Sequence, residues 1–169
     1  MADKFTIGLL VSNHAGVLNR VAGLYAKRGY NIDSLAVGTT ENSKFSRMTI
    51  VSSGDDYMKD QVVRQLRKLH DVKLVVLLEG DNMVGVEHML IKLKAAGTDK
   101  TATSALINSY GGKVLDFGDA FITTEITGDS EKIDRFITAV QPLGILELCR
   151  SGLIALSQGT ENMLSVEDL

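Results

Sequence analysis

The residues best equipped for chemistry in this 169-residue chain are few and far apart. Histidines stand at positions 14, 70 and 88, and the single cysteine is Cys149. A metal site needs several such ligands at short spacing, which this scatter does not offer, and one thiol cannot close an internal disulfide. Cys149 falls in the alternating run Leu146-Glu147-Leu148-Cys149, where a small buried side chain is expected rather than a nucleophile. Gly54-Asp55-Asp56 and Gly111-Gly112 lack the lysine and hydroxyl residue of a phosphate-binding loop, and no G-x-G-x-x-G occurs. No acid, base and nucleophile constellation emerges, so no catalytic residue is assigned. What remains is Ser12-Asn13-His14-Ala15-Gly16-Val17-Leu18, where an alternating segment meets a helical one. The first N–H groups of a helix lack internal partners and the dipole is positive there, which suits a carboxylate. Asn13 is expected to cap that helix and Gly16 to admit a ligand close to the backbone. A cap and tight turn with no ligand is the plainer alternative.

The elements that position this junction follow from changes of hydrophobic period, because Pro142 is the only proline. Phe5, Ile7, Leu9 and Val11 alternate with smaller or polar residues and predict a strand. Val17, Leu18, Val21, Ala22, Leu24 and Tyr25 recur at helical spacing, and Lys27-Arg28-Gly29 reads as that helix's C-terminus. Tyr30 to Thr39 and Phe45 to Ser52 predict a hairpin, Val62 to Leu69 a second helix, and Val72 to Leu78 a fourth strand. The order strand, helix, strand, strand, helix, strand is the ferredoxin-like split βαβ arrangement. It recurs: a strand near Glu87 to Ala95, a helix near Thr98 to Tyr110, a hairpin, a helix near Ser130 to Val140 and a strand near Ile145 to Ala155. The fold class is therefore α+β, with two βαββαβ domains over residues 1–79 and 80–159 and a polar tail over 160–169.

Composition excludes several functions. With 23% charged and 44% hydrophobic residues and a net charge of -3, the chain is neither disordered nor basic enough to suggest a nucleic-acid partner. Arg28-Gly29-Tyr30 opens like an RNA-binding RNP1 motif, but Asn31, Ile32 and Asp33 end the match, on the wrong strand. No apolar run approaches the roughly 20 residues of a membrane span, and the start does not look like a signal peptide, so a cytosolic location is expected. Cutting at Gly80 leaves 11 basic and 8 acidic residues before and 7 and 13 after, halves of opposite sign. The Tyr30 to Thr39 strand falls at a sheet edge in this topology and carries few charges, which predicts that two copies pair there across a two-fold axis.

The segment Asn13 to Leu18, with Arg28 to Gly38 and Ser46-Arg47-Met48-Thr49-Ile50-Val51, closely resembles the small, regulatory subunit of acetohydroxyacid synthase, also called acetolactate synthase. Val86-Glu87, Lys113 to Asp116, Ile126 to Asp129, Gly144 to Glu147 and Arg150-Ser151-Gly152 continue the resemblance, which covers residues 5–159. It implies that the first domain is an ACT domain, an amino-acid-binding ferredoxin-like module. The chain would have no catalytic centre and bind no cofactor. It would instead activate a large catalytic subunit carrying thiamine diphosphate, magnesium (Mg) and flavin (FAD), and make that transferase sensitive to valine or another branched-chain amino acid. The family's effector site lies between two ACT domains, so Asn13, His14, Ala15, Gly16, Val17 and Leu18 of one copy would face Asn31 and Ile32 of another. The N–H groups of Gly16, Val17 and Leu18 would hold the effector carboxylate, the Asn13 and Asn31 side chains its ammonium, and Ile32 its aliphatic group. His14 and Ala15, Gly111 and Gln158 depart from the family's usual residues. A free-standing ACT sensor without a synthase partner is the alternative, and an enzyme in its own right a more distant one.

Overall fold

The computed structural model describes residues 3–95, 97, 99–160 and 163. They divide into two compact units, each described by itself below: one takes the chain as far as Gly85 and again from Leu153, the other is Val86–Gly152.

In the first unit β1 (Asp3–Ser12), α1 (Val17–Lys27), β2 (Ser34–Thr39), β3 (Phe45–Gly54), α2 (Asp56–Leu66) and β4 (Val72–Leu78) follow one another. The sheet order is β2-β3-β1-β4 with every neighbouring pair antiparallel, the ferredoxin-like arrangement expected. Strand alternation sends Phe5, Ile7, Leu9, Val11, Met48 and Ile50 to one face. Helical spacing brings Val17, Val21 and Tyr25 from α1 and Val62, Val63 and Leu66 from α2 onto the same core. Each half-amphipathic element is therefore completed by the other kind. The opposite face of the sheet is also covered. Leu153 and Ala155 pack on Leu78, and Met163 is buried against Leu10 and Phe45.

In the second unit the chain enters along β5 (Met83–Lys94) and continues through α3 (Lys100–Ser109), β6 (Lys113–Phe117), β7 (Phe121–Gly128), α4 (Ser130–Val140) and β8 (Ile145–Arg150). The order β6-β7-β5-β8 repeats that of the first sheet. Met89, Ile91 and Leu93 meet Ile107, Ile133, Phe136 and Val140 in a second core. Glu87, at 6% exposure, accepts from Ser130 Oγ and from Arg150 Nε and Nη2 (2.7 and 2.6 Å), while Arg150 Nη1 reaches Asp134 (2.7 Å). One buried carboxylate thus ties β5, β8 and the start of α4 together, which gives Val86-Glu87 and Arg150-Ser151-Gly152 a structural reason to occur together.

Four expectations change. The Tyr30 to Thr39 strand begins only at Ser34. Gly29 turns at φ +67°, and Asp33 is held by Asn31 Nδ2 and Ser53 Oγ (2.5 Å each), leaving Tyr30 to Asp33 as a loop. The Ile145 to Ala155 strand is two strands, β8 and β9 (Ile154–Ser157), because Gly152 takes φ +76° and Ser151 Oγ accepts from the His88 N–H. Cys149 is exposed, since it pairs across from Leu90 on edge strand β8. Finally, β9 belongs to the first unit, so the units differ from a division at 79/80 and 159/160. Val86–Gly152 carries 7 basic and 9 acidic residues, and the opposite signs of the two halves reflect where the cut was placed. Of the tail, residues 161, 162 and 164–169 lie outside the described residues, as does Thr98 at the start of the third helix. Among the described residues no helix is long and apolar enough to cross a membrane.

Candidate functional site

The junction between β1 and α1 is built around an uncapped helix start. Gly16 takes φ +88°, a left-handed conformation that other residues adopt only under strain, and among the described residues no side chain caps the first turn of α1. The Arg20 N–H is the first to reach back, to Gly16 O at 3.1 Å. Among the described residues the other three α-helices each begin with an aspartate, Asp55, Asp99 or Asp129, accepting from first-turn N–H groups. The first turn of α1 also contains no acidic side chain. It therefore retains the donors and the positive end of its dipole.

Asn13 does not cap this helix. Its backbone N–H donates to Lys44 O (2.7 Å) and its Nδ2 to Ser43 O (2.9 Å), fastening the loop to the β2–β3 connector. The capping geometry is lost because left-handed Gly16 occupies the cap position itself. His14 is fastened on the other side: Nε2 lies 3.0 Å from Asp71 Oδ1, and Nδ1 lies 3.1 Å from Ala15 O. Asp71, in the connector between α2 and β4 and 6% exposed, also accepts from Arg20 Nη1, while its carbonyl accepts from the Ser12 N–H at 2.8 Å. Burial works to raise the pKa of Asp71, but Arg20 and then His14 outweigh it and hold the carboxyl below its ordinary value. Asp71 is thus the post on which β1's end, the His14 loop and α1's first turns are set. Sequence patterning does not reveal it, because Asp71 precedes β4 as an ordinary turn residue would.

The remaining expected residues divide between surface and core. Asn13, His14, Ala15 and Gly16 are exposed and Leu18 is 44% exposed, whereas Val17 is buried at 3% and can contribute only its backbone. Asn31 is exposed, and Ile32 is partly buried against the first core. Asn13 to Leu18 and Asn31 to Ile32 flank opposite ends of the 11-residue α1, which at about 1.5 Å per residue is roughly 16 Å long. One copy of the chain does not bring the two groups together.

Other chemistry is thin. Among the described residues no group of three His, Cys, Asp or Glu is arranged to hold a metal. Gly111 takes φ +69° at the end of α3, where a larger side chain would be strained, and the Gln158 N–H donates to Asn82 O at 2.8 Å.

Comparisons with known proteins agree over most of the chain. The AHAS small subunit-like ACT domain matches residues 7–73, and the domain described as small subunit of acetolactate synthase matches residues 86–159. The acetolactate synthase small subunit of Mycolicibacterium smegmatis is 41% identical over 154 residues, covering 91% of both chains. That of Haemophilus influenzae is 36% identical over 159 residues, covering 94% of this chain and 98% of its own. The crystal structure of the small subunit from Thermotoga maritima superposes with a TM-score of 0.87 at 32% identity, covering 94% of this chain and 99% of that one. With both halves matched in order and a ferredoxin-like sheet in each, the chain belongs to the acetolactate synthase small-subunit family.

Proposed function

We propose that the chain is the allosteric regulatory subunit of an acetolactate synthase, raising the activity of a thiamine-diphosphate-dependent large subunit and conferring feedback inhibition by a branched-chain amino acid. The large subunit supplies the thiamine diphosphate, Mg and FAD; this chain contributes binding and control in the cytosol. The observation that carries the effector site is the uncapped, acid-free start of α1 behind left-handed Gly16. A carboxylate there would accept from the N–H groups of Gly16, Val17 and Leu18 in a favourable dipole field. Asn13 and Asn31 use their amide N–H groups within the chain, which leaves their amide oxygens for an ammonium group.

Because Asn31 and Ile32 lie beyond the far end of α1, the site is completed by a second copy. Edge strand β2 supplies the means: it is unpaired on its outer side within the sheet order, and Val37 on it is 47% exposed. Pairing β2 with β2 would make a homodimer with two equivalent effector sites. Feedback then requires the effector to bind the less active state more tightly, with a coupling of typically about 1–3 kcal/mol. The test is inhibition of the reconstituted holoenzyme by valine, leucine and isoleucine. Asn13→Ala and Gly16→Asp are expected to abolish inhibition while activation of the large subunit survives. Wild-type sensitivity in both variants would refute the site.

A further inference from the structure

α1 carries a glycine that its own chain does not explain. Gly23 lies in the middle of the helix, where glycine is the least favourable residue after proline, and a Cβ placed on it would meet nothing within 4 Å. Neither close packing nor a left-handed turn requires it. The open space is a groove of about 800 Å³ between α1 and the end of α2, floored by Leu24 and Leu69 and edged by Arg20, Lys27 and Arg28. Asn19 and Gln65 complete the lining, which contains no acidic residue. Arg20 is engaged by Asp71, but Lys27 and Arg28 are exposed and have no carboxylate in reach among the described residues. Exposed Arg67 and Lys68 follow α2 with none either.

We infer that this groove is the docking surface for a carboxylate-bearing helix of the catalytic large subunit, an inference that rests on the regulatory-subunit reading above. The apolar floor and glycine gap fit a helix backbone brought close to α1, and the free cations fit acidic side chains along its flanks. An amino-acid effector is a poor occupant, since Arg20, Lys27 and Arg28 would repel its ammonium group and no carboxylate stands in the lining to offset them. The groove runs along α1 beside the end of α2, while the uncapped start of α1 is at its N-terminal end, so one helix would touch both effector and catalytic subunit.

The experiment measures binding and activation of the large subunit by the full-length chain, with Gly23→Gln, the double variant Lys27→Glu/Arg28→Glu, and the control Lys113→Glu on β6. Gly23→Gln adds a helix-favouring side chain in open space, so it should melt at or above the wild-type temperature and bind valine normally. Both groove variants are expected to need at least tenfold more protein for half-maximal activation, with Lys113→Glu unchanged. Added salt should weaken the wild-type complex more steeply than the charge-reversed one. Wild-type binding by both groove variants would overturn the docking surface alone. So would a loss confined to the binding of inorganic tripolyphosphate, which would make the groove a small-anion site. Failure of the wild-type chain to bind the large subunit would overturn the regulatory-subunit reading and this inference with it.

Discussion

Tyr25 shows how a single side chain can be placed for packing against its own polarity. It is 1% exposed in the first core, and neither its hydroxyl nor that of nearby Ser52 has a hydrogen-bond partner among the described residues. Burial pushes its phenol up to about 12. The folded value exceeds the unfolded value of about 10, so the unfolded chain ionises first and stability declines as pH rises from about 10 to 12. Tyr25→Phe should remove that decline, worth about 2–3 kcal/mol at its end, and be neutral to mildly stabilising at pH 7. Chemical denaturation at pH 7 and pH 11 measures both. Asp71 gives the opposite sign. Its folded pKa is lowered, so its contribution is complete above the unfolded value of about 4 and is lost as pH falls through the folded one. Asp71→Asn should therefore flatten the acid limb of stability and, by loosening the His14 loop, weaken the effector response several-fold at neutral pH. A thermal melt series from pH 7 to 3, with valine titrations at pH 7, checks both. The loop proposed to bind the effector was legible in sequence as a strand-to-helix junction with a glycine. Its supports were not, because Asn13 binds the β2–β3 connector 30 residues on and His14 binds Asp71 57 residues on.

At the scale of elements, periodicity carried most of the fold. Strand alternation and helical spacing predict each sheet and helix, since half-buried elements expose one face by construction. The differences arise where local polar bonding or a left-handed glycine overrides propensity: Asp33 ends what would be the start of β2, and Gly152 interrupts β8 and β9. Neither effect has a periodic signature. The Glu87 network is similarly invisible, since its members lie on three separate elements, β5, α4 and β8. Arg150→Ala would leave the Glu87 carboxylate buried beside only Ser130 and is expected to destabilise the second unit by about 2–4 kcal/mol. Hydrogen exchange should show the loss in β5, β8 and α4, with β1 to β4 protected as before. Equal loss in both units would contradict the separation of the two cores.

At the scale of the whole molecule, 169 residues hold two small sheet-and-helix units, each with its own core. The C-terminal segment from Leu153 returns to the first unit and covers the sheet face that its helices leave open. That return explains why the compact units differ from an equal division of the chain: repeated element order marks each unit's strands and helices, but not that β9, paired with β5, turns Leu153 and Ala155 onto Leu78 of the first unit. What this molecule does to another is read from the acetolactate-forming activity of the large subunit, measured with and without this chain across a valine titration. The chain is expected to raise activity, valine to lower it again, and Gly16→Asp to retain the first effect and lose the second. No change in large-subunit activity on adding the chain, or undiminished inhibition of the Gly16→Asp assembly, would contradict the proposed regulatory role.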